Sequence, residues 1–135
     1  MMNLCLVGSG PMARDYAKVL KALEADFAVI GRGEESARSF EEATGVPVQT
    51  GGLEQALSAN QVPEMAIVAV GVEELAPVAT QLLQAGTKRI LLEKPGGLNV
   101  AELRQLAQLA NSAGVEVWLA YNRRFYAAIL RAEKM

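Results

Sequence analysis

The chain of 135 residues contains no histidine. That absence excludes histidine-based metal sites, serine–histidine triads and any imidazole general acid or base within these residues. No metal site is expected. Cysteine occurs once, as Cys5 inside an apolar run. An intrachain disulfide is therefore impossible, and a buried structural thiol in a reducing, cytoplasmic setting is the expected state. Aromatic residues make up only 5%. The core must then be built from Leu, Val, Ile and Ala, which suits buried parallel strands flanked by helices. Basic excess is also absent, since the formal net charge is −2. Nothing in that balance recommends nucleic acid as a partner. Long apolar runs are missing too. The opening MMNLCLVGSG lacks a basic leader and meets a glycine turn at once, so neither a signal peptide nor a membrane span is expected.

What is present is an ordinary globular balance, 51% apolar and 21% charged, enough for one core. Short apolar runs alternate with helical patterns. Strands are expected at 3–7, 27–30, 46–49, 66–70, 89–92 and 115–120. Helices are expected at 11–23, 34–43, 52–59, 74–85, 99–113 and 126–134. Asn99 and Glu102 form a capping-box pair at the strongest helix, and Gly114 closes it. Leu103, Leu106, Leu109 and Ala110 form a stripe for packing on a sheet. Trp118 is expected in the core or at a domain interface, and Tyr121 and Tyr126 are read as packing residues. Strand and helix alternating throughout predict an α/β fold: a three-layer, doubly wound parallel sheet of the Rossmann kind, in a single domain.

Gly8-Ser9-Gly10-Pro11-Met12-Ala13 lies between the first expected strand and helix and matches G-x-G-x-x-[G/A]. Gly8 permits the tight turn. Gly10, lacking a side chain, admits a pyrophosphate to the backbone. Ala13 lets helix and strand pack closely. The helix N-terminus adds free N–H groups and a positive dipole end. The alternative is a plain glycine turn without a ligand. At the end of the second strand an acid is expected for NAD, yet Ile30-Gly31 is followed by Arg32. A guanidinium suits a 2′-phosphate, which favours NADP over NAD. The alternative is a solvated Arg32, with Glu34 or Glu35 reaching the ribose.

Glu93-Lys94-Pro95 follows the fifth strand directly. Ligands of open α/β sheets bind beyond the carboxyl ends of the strands, so Lys94 is expected at the nicotinamide end of the crevice. There it can bond a substrate oxygen and assist proton transfer. A surface lysine is the alternative. Arg123 and Arg124 are either a solvated pair ahead of the last helix, or one of them meets a further domain.

With VGSGPMA, AIVAVG, LLEKPGGLN and AYNRRF in this order, the chain resembles the glucose–fructose oxidoreductase / inositol dehydrogenase (Gfo/Idh/MocA) family over essentially its whole length. The resemblance implies NADP or NAD as cofactor and hydride transfer to or from a sugar-like or nucleotide-sugar substrate. It also implies that Lys94 is the catalytic-site lysine. Cofactor contacts are implied at Gly8, Ser9, Gly10, Pro11, Met12, Arg32, Val70, Gly71, Glu93, Lys94, Asn122 and Arg123. The wording is similar to members of bacterial surface-polysaccharide pathways. Three features depart from the family pattern. Val70-Gly71-Val72 replaces a Thr-Pro-Asn-like stretch, and Leu75 stands where a histidine is usual. Ala13 is the third small residue of the fingerprint. A second, mostly antiparallel substrate domain is not represented. Residues 1–125 are thus expected to form the cofactor domain, and 126–135 to begin the connection to a substrate domain. Cofactor binding with little turnover is expected of these residues alone. The competing reading is a non-enzymatic dinucleotide-binding module, or a subunit completed by another chain. Self-association through an apolar patch near Trp118 and Phe125 is a further expectation.

Overall fold

A computed structural model describes residues 3–135; Met1 and Met2, the start of the expected domain, lie outside the described residues. The strands are β1 (Leu4–Val7), β2 (Ala28–Ile30), β3 (Val48–Gln49), β4 (Met65–Val68), β5 (Arg89–Glu93) and β6 (Glu116–Ala120). The helices are α1 (Pro11–Ala22), α2 (Glu34–Thr44), α3 (Gly52–Ser58), α4 (Val72–Ala85), α5 (Val100–Ala113) and α6 (Ala127–Glu133). All pairings are parallel, and the sheet order is β3-β2-β1-β4-β5-β6. This is the expected doubly wound sheet, with its order reversing between β1 and β4.

The strands read as continuous apolar runs because both faces are covered. Along β1, Cys5 and Val7 join a cluster with residues of α3, α4 and α5, while Leu6 joins one with residues of α1 and α2. The first cluster holds Leu75, Leu82, Ile90 and Leu92, each essentially inaccessible. In the second, Ala13 and Ala17 of α1 meet Phe40 of α2 and Val29 of β2. Small residues on α1 thus let the helix lie close to the sheet, as the fingerprint requires. Cys5 is fully buried, and desolvation pushes its thiol up to about 12.

Several expectations shift. β4 ends at Val68, so Val70 belongs to the loop beyond it. α4 begins at Val72 rather than Glu74 and carries Pro77 inside it. The last expected helix, 126–134, is divided: Asn122–Phe125 forms a 3-10 turn, Tyr126 is extended, and α6 follows. Only Leu106 and Ala110 of the α5 stripe are buried; Leu103 is half-buried and Leu109 exposed. Trp118 is not in the core but 56% exposed, and Tyr121 and Tyr126 are exposed rather than packed. Trp118 and Tyr121 line an open groove beside α1. α5 is capped by Asn99, whose side chain accepts from the Glu102 N–H at 3.0 Å. The Glu102 carboxylate reaches one residue further back than a standard capping box, to the Leu98 N–H at 3.0 Å.

Candidate functional site

The carboxyl ends of β1, β2 and β4 open onto a cleft of about 570 Å³ at the reversal of strand order. Its floor is held by backbone bonds that continue the ladders past the strands. Gly8 N–H donates to Ile30 O at 2.8 Å, Gly31 N–H to Gln49 O at 2.9 Å, and Gly52 N–H to Gly31 O at 2.9 Å. On the other side Ala69 N–H donates to Val7 O at 2.9 Å. The loops after these strands are therefore fixed relative to one another.

The two fingerprint glycines differ in what they face. Gly8 has φ +126°, and a Cβ there would stand 2.1 Å from the Ala69 carbonyl oxygen. Its lack of a side chain permits the β1 and β4 loops to touch. A Cβ on Gly10 would meet nothing within 4 Å. The space over Gly10 is open cleft. Gly10 is also the N-cap of α1, with Pro11 in the first helical turn and no side-chain cap. Pro11 lacks an N–H, and the next N–H groups of the turn have no partner inside the helix. The cleft thus combines an uncapped positive helix end with backbone that an anion can approach, which is the donor set a pyrophosphate needs. Ser9 is tied down by Ser36 of α2, Oγ to Oγ at 2.8 Å, and the Ser36 hydroxyl lies 3.2 Å from the Ser9 carbonyl.

Gly8, Ser9, Gly10, Pro11, Met12, Arg32, Val70 and Gly71 all line this cleft. Glu34 and Glu35 do not line it; both sit exposed in the first turn of α2. Arg32 is exposed and pairs with Glu74 of α4 at 3.4 Å. Sequence reasoning missed Glu74, Ser36 and the pair Gly51-Gly52, all of which line the cleft. The double glycine after β3 was a readable signal. Ser36 and Glu74 carried none, because only the fold brings α2 and α4 to the glycine loop.

Glu93, Lys94, Asn122 and Arg123 do not line the cleft. Lys94 is exposed in a turn whose Gly96 N–H returns to Glu93 O at 3.1 Å, with Lys94–Pro95 in cis. Asn122 lines a second, apolar groove of about 410 Å³ between α1, β5 and β6, next to Tyr16, Leu91 and Trp118. Met12 borders both depressions. Arg123 lies exposed in the 3-10 turn. The neighbouring Arg124 places its guanidinium 4.8 Å from the Phe125 ring centre.

Comparison with known proteins identifies relatives. Residues 2–121 match the family model GFO_IDH_MocA, described as an oxidoreductase family with an NAD-binding Rossmann fold. The chain is 32% identical over 128 residues to trans-1,2-dihydrobenzene-1,2-diol dehydrogenase of Mus musculus, matching 92% of the chain and 38% of that enzyme. Among solved structures, GenD2 from gentamicin A biosynthesis, in complex with NAD, superposes with a TM-score of 0.83 at 29% identity, covering 98% of this chain and 38% of GenD2. The WlbA dehydrogenase of Bordetella pertussis, in complex with NADH and UDP-GlcNAcA, shares the fold with a TM-score of 0.84 at 20% identity, covering 98% of this chain and 41% of WlbA. The chain therefore spans well under half the length of these relatives.

Proposed function

The chain belongs to the Gfo/Idh/MocA oxidoreductase family, and we propose that it serves as the NADP- or NAD-binding domain of an enzyme that moves hydride between the nicotinamide and a CH–OH carbon of a sugar-like or nucleotide-sugar substrate. The observation that carries this reading is the open space over Gly10 beside the uncapped N-terminus of α1. A diol is the group on which the mouse relative's name places its chemistry, and vicinal hydroxyls are what a sugar presents. Residues 1–125 form the cofactor domain in this reading. Residues 126–135 begin the connection to a substrate domain, in keeping with the exposure of every residue from 121 to 135.

The residues divide the work as follows. The Gly8–Met12 loop holds the pyrophosphate by the free backbone N–H groups at the start of α1 and by the helix dipole, Gly8 shaping the turn and Pro11 contributing no donor. Val70 and Gly71 bring the β4 loop against the cofactor. Glu93, Asn122 and Arg123 flank its nicotinamide half. The bound nicotinamide supplies the hydride acceptor or donor. Lys94 orients the substrate oxygen and helps move its proton.

Arg32 selects NADP. Its present partner, Glu74, is a surface pair of small worth, whereas a 2′-phosphate offers a doubly charged, fork-matching acceptor. Titration calorimetry with NADPH and NADH tests this. In Arg32→Ala, NADPH affinity should fall about tenfold or more, the loss expected of a charged hydrogen bond, with NADH little changed. Glu74→Gln should strengthen NADPH binding. Equal affinities in the wild type would remove the NADP preference. No binding of either ligand would overturn the dinucleotide reading.

A further inference from the structure

Tyr16 lies in the second turn of α1, beside the groove shared with β5 and β6. Its hydroxyl donates to Glu93 Oε2 at 2.6 Å, joining residues 77 positions apart. That distance is the range of a charge-assisted O–H to carboxylate bond. Both side chains are half-buried. Burial, the bond itself and the adjacent Glu93 charge push the phenol above its ordinary range, so Tyr16 remains a donor. The charged side chains lining this groove are Asp15 and Arg124.

Glu93 ends β5 and is paired with Ala120 of β6. Lys94 comes next, in the tight turn closed by Gly96. A flexible carboxylate beside a lysine is its nearest candidate counter-ion. Yet among the described residues Lys94 enters no ion pair; Arg32–Glu74 is the one such contact. The Glu93 carboxylate is spent on Tyr16 instead. An ammonium without a counter-ion keeps its donors for an incoming oxygen.

We propose that Tyr16 is a positioning residue: it holds the Glu93 carboxylate on the α1 face of the sheet, away from Lys94 Nζ, and anchors the base of the Lys94 turn to the helix that begins at the glycine loop. The proposal rests on the reading of Lys94 given above. Without the hydroxyl, Glu93 is released to pair with Lys94.

The test is an NMR titration of Lys94 in chain labelled with ¹⁵N-lysine, its signal assigned by loss in Lys94→Arg. In Tyr16→Phe the Lys94 titration should move upward, because a nearby carboxylate favours the ammonium. The expected shift is about half a unit, the size of an ion pair made by an exposed lysine. In Tyr16→Phe combined with Glu93→Gln it should return to the wild-type position, which general loosening of the fold would not produce. Tyr16→Leu, which also lacks the hydroxyl, should move the Lys94 titration in the same direction. It serves as the second variant should Tyr16→Phe fail to fold. A Tyr16→Phe curve superimposable on wild type, or a shift that survives Glu93→Gln, would overturn the proposal. The readout needs no dinucleotide. Failure to bind NADPH or NADH would therefore sink the functional reading alone, and an unmoved Lys94 signal would sink this inference alone.

Discussion

Gly8 and Gly10 occupy one motif, yet they serve different states of the protein. Gly8 is demanded by the fold: its positive φ and its approach to the Ala69 carbonyl leave no place for a Cβ. Gly8→Ala should cost more than about 2 kcal/mol, through backbone strain and the displaced β4 loop. Gly10 has ordinary extended backbone, and nothing lies within 4 Å of its missing Cβ. Gly10→Val should leave stability within about 1 kcal/mol of wild type while abolishing dinucleotide binding, because the new side chain fills the anion's place. Chemical denaturation and calorimetry on the two variants separate the roles. Loss of stability in Gly10→Val, or retained ligand affinity, would contradict the assignment. The spacing of this motif was legible in the sequence. Which glycine answers to folding and which to ligand was not, because that depends on the β4 loop, some sixty positions away.

At the scale of elements, local signals located the helices well where caps are strong. α5 runs from an Asn99 cap to Gly114 at φ +66°. Asn99→Ala should lower stability by about 1 kcal/mol, the usual worth of a side-chain N-cap. A thermal unfolding shift near zero would show that packing of Leu106 and Ala110 alone sets the helix start. α1 is the contrasting case. It starts on Gly10 with no side-chain cap, so its free N–H groups are left for a ligand. Prediction was weakest for 122–133, whereas α4 was expected at 74–85 and starts only two residues earlier, at Val72. Pro77 in α4 argues locally against a helix, but burial of Leu75, Ala76, Val78 and Ala79 on both sides of it overrides that preference. The last segment is exposed throughout, and α6 packs chiefly on the 3-10 turn before it, so little burial fixes where its helix begins.

Part of the molecule's exposed apolar surface gathers at one groove. Val19, Trp118 and Phe125 are each at least 55% exposed, and all three line the groove between α1, β5 and β6. Contiguous apolar surface of this kind favours association. Light scattering should show the average mass of this chain rising with concentration, and Trp118→Glu should suppress the rise. A constant monomer mass over a wide range would show that the patch is too small or too polar to associate. Among the described residues, no helix is long and apolar enough to cross a membrane.

The sequence by itself determined the alternation of strand and helix, the parallel sheet and the position of the glycine loop. These follow from local periods and from the backbone needs of single residues, which neighbours in the chain can express. Family membership was legible in the same way, from short motifs in a fixed order. Only the tertiary structure decided that Ser36 and Glu74 border the cleft, that Glu93 turns to Tyr16 rather than Lys94, and that Trp118 faces outward. Each depends on which elements lie side by side across the sheet. That choice is made by the summed burial of two hydrophobic clusters and leaves no mark on any one stretch of chain.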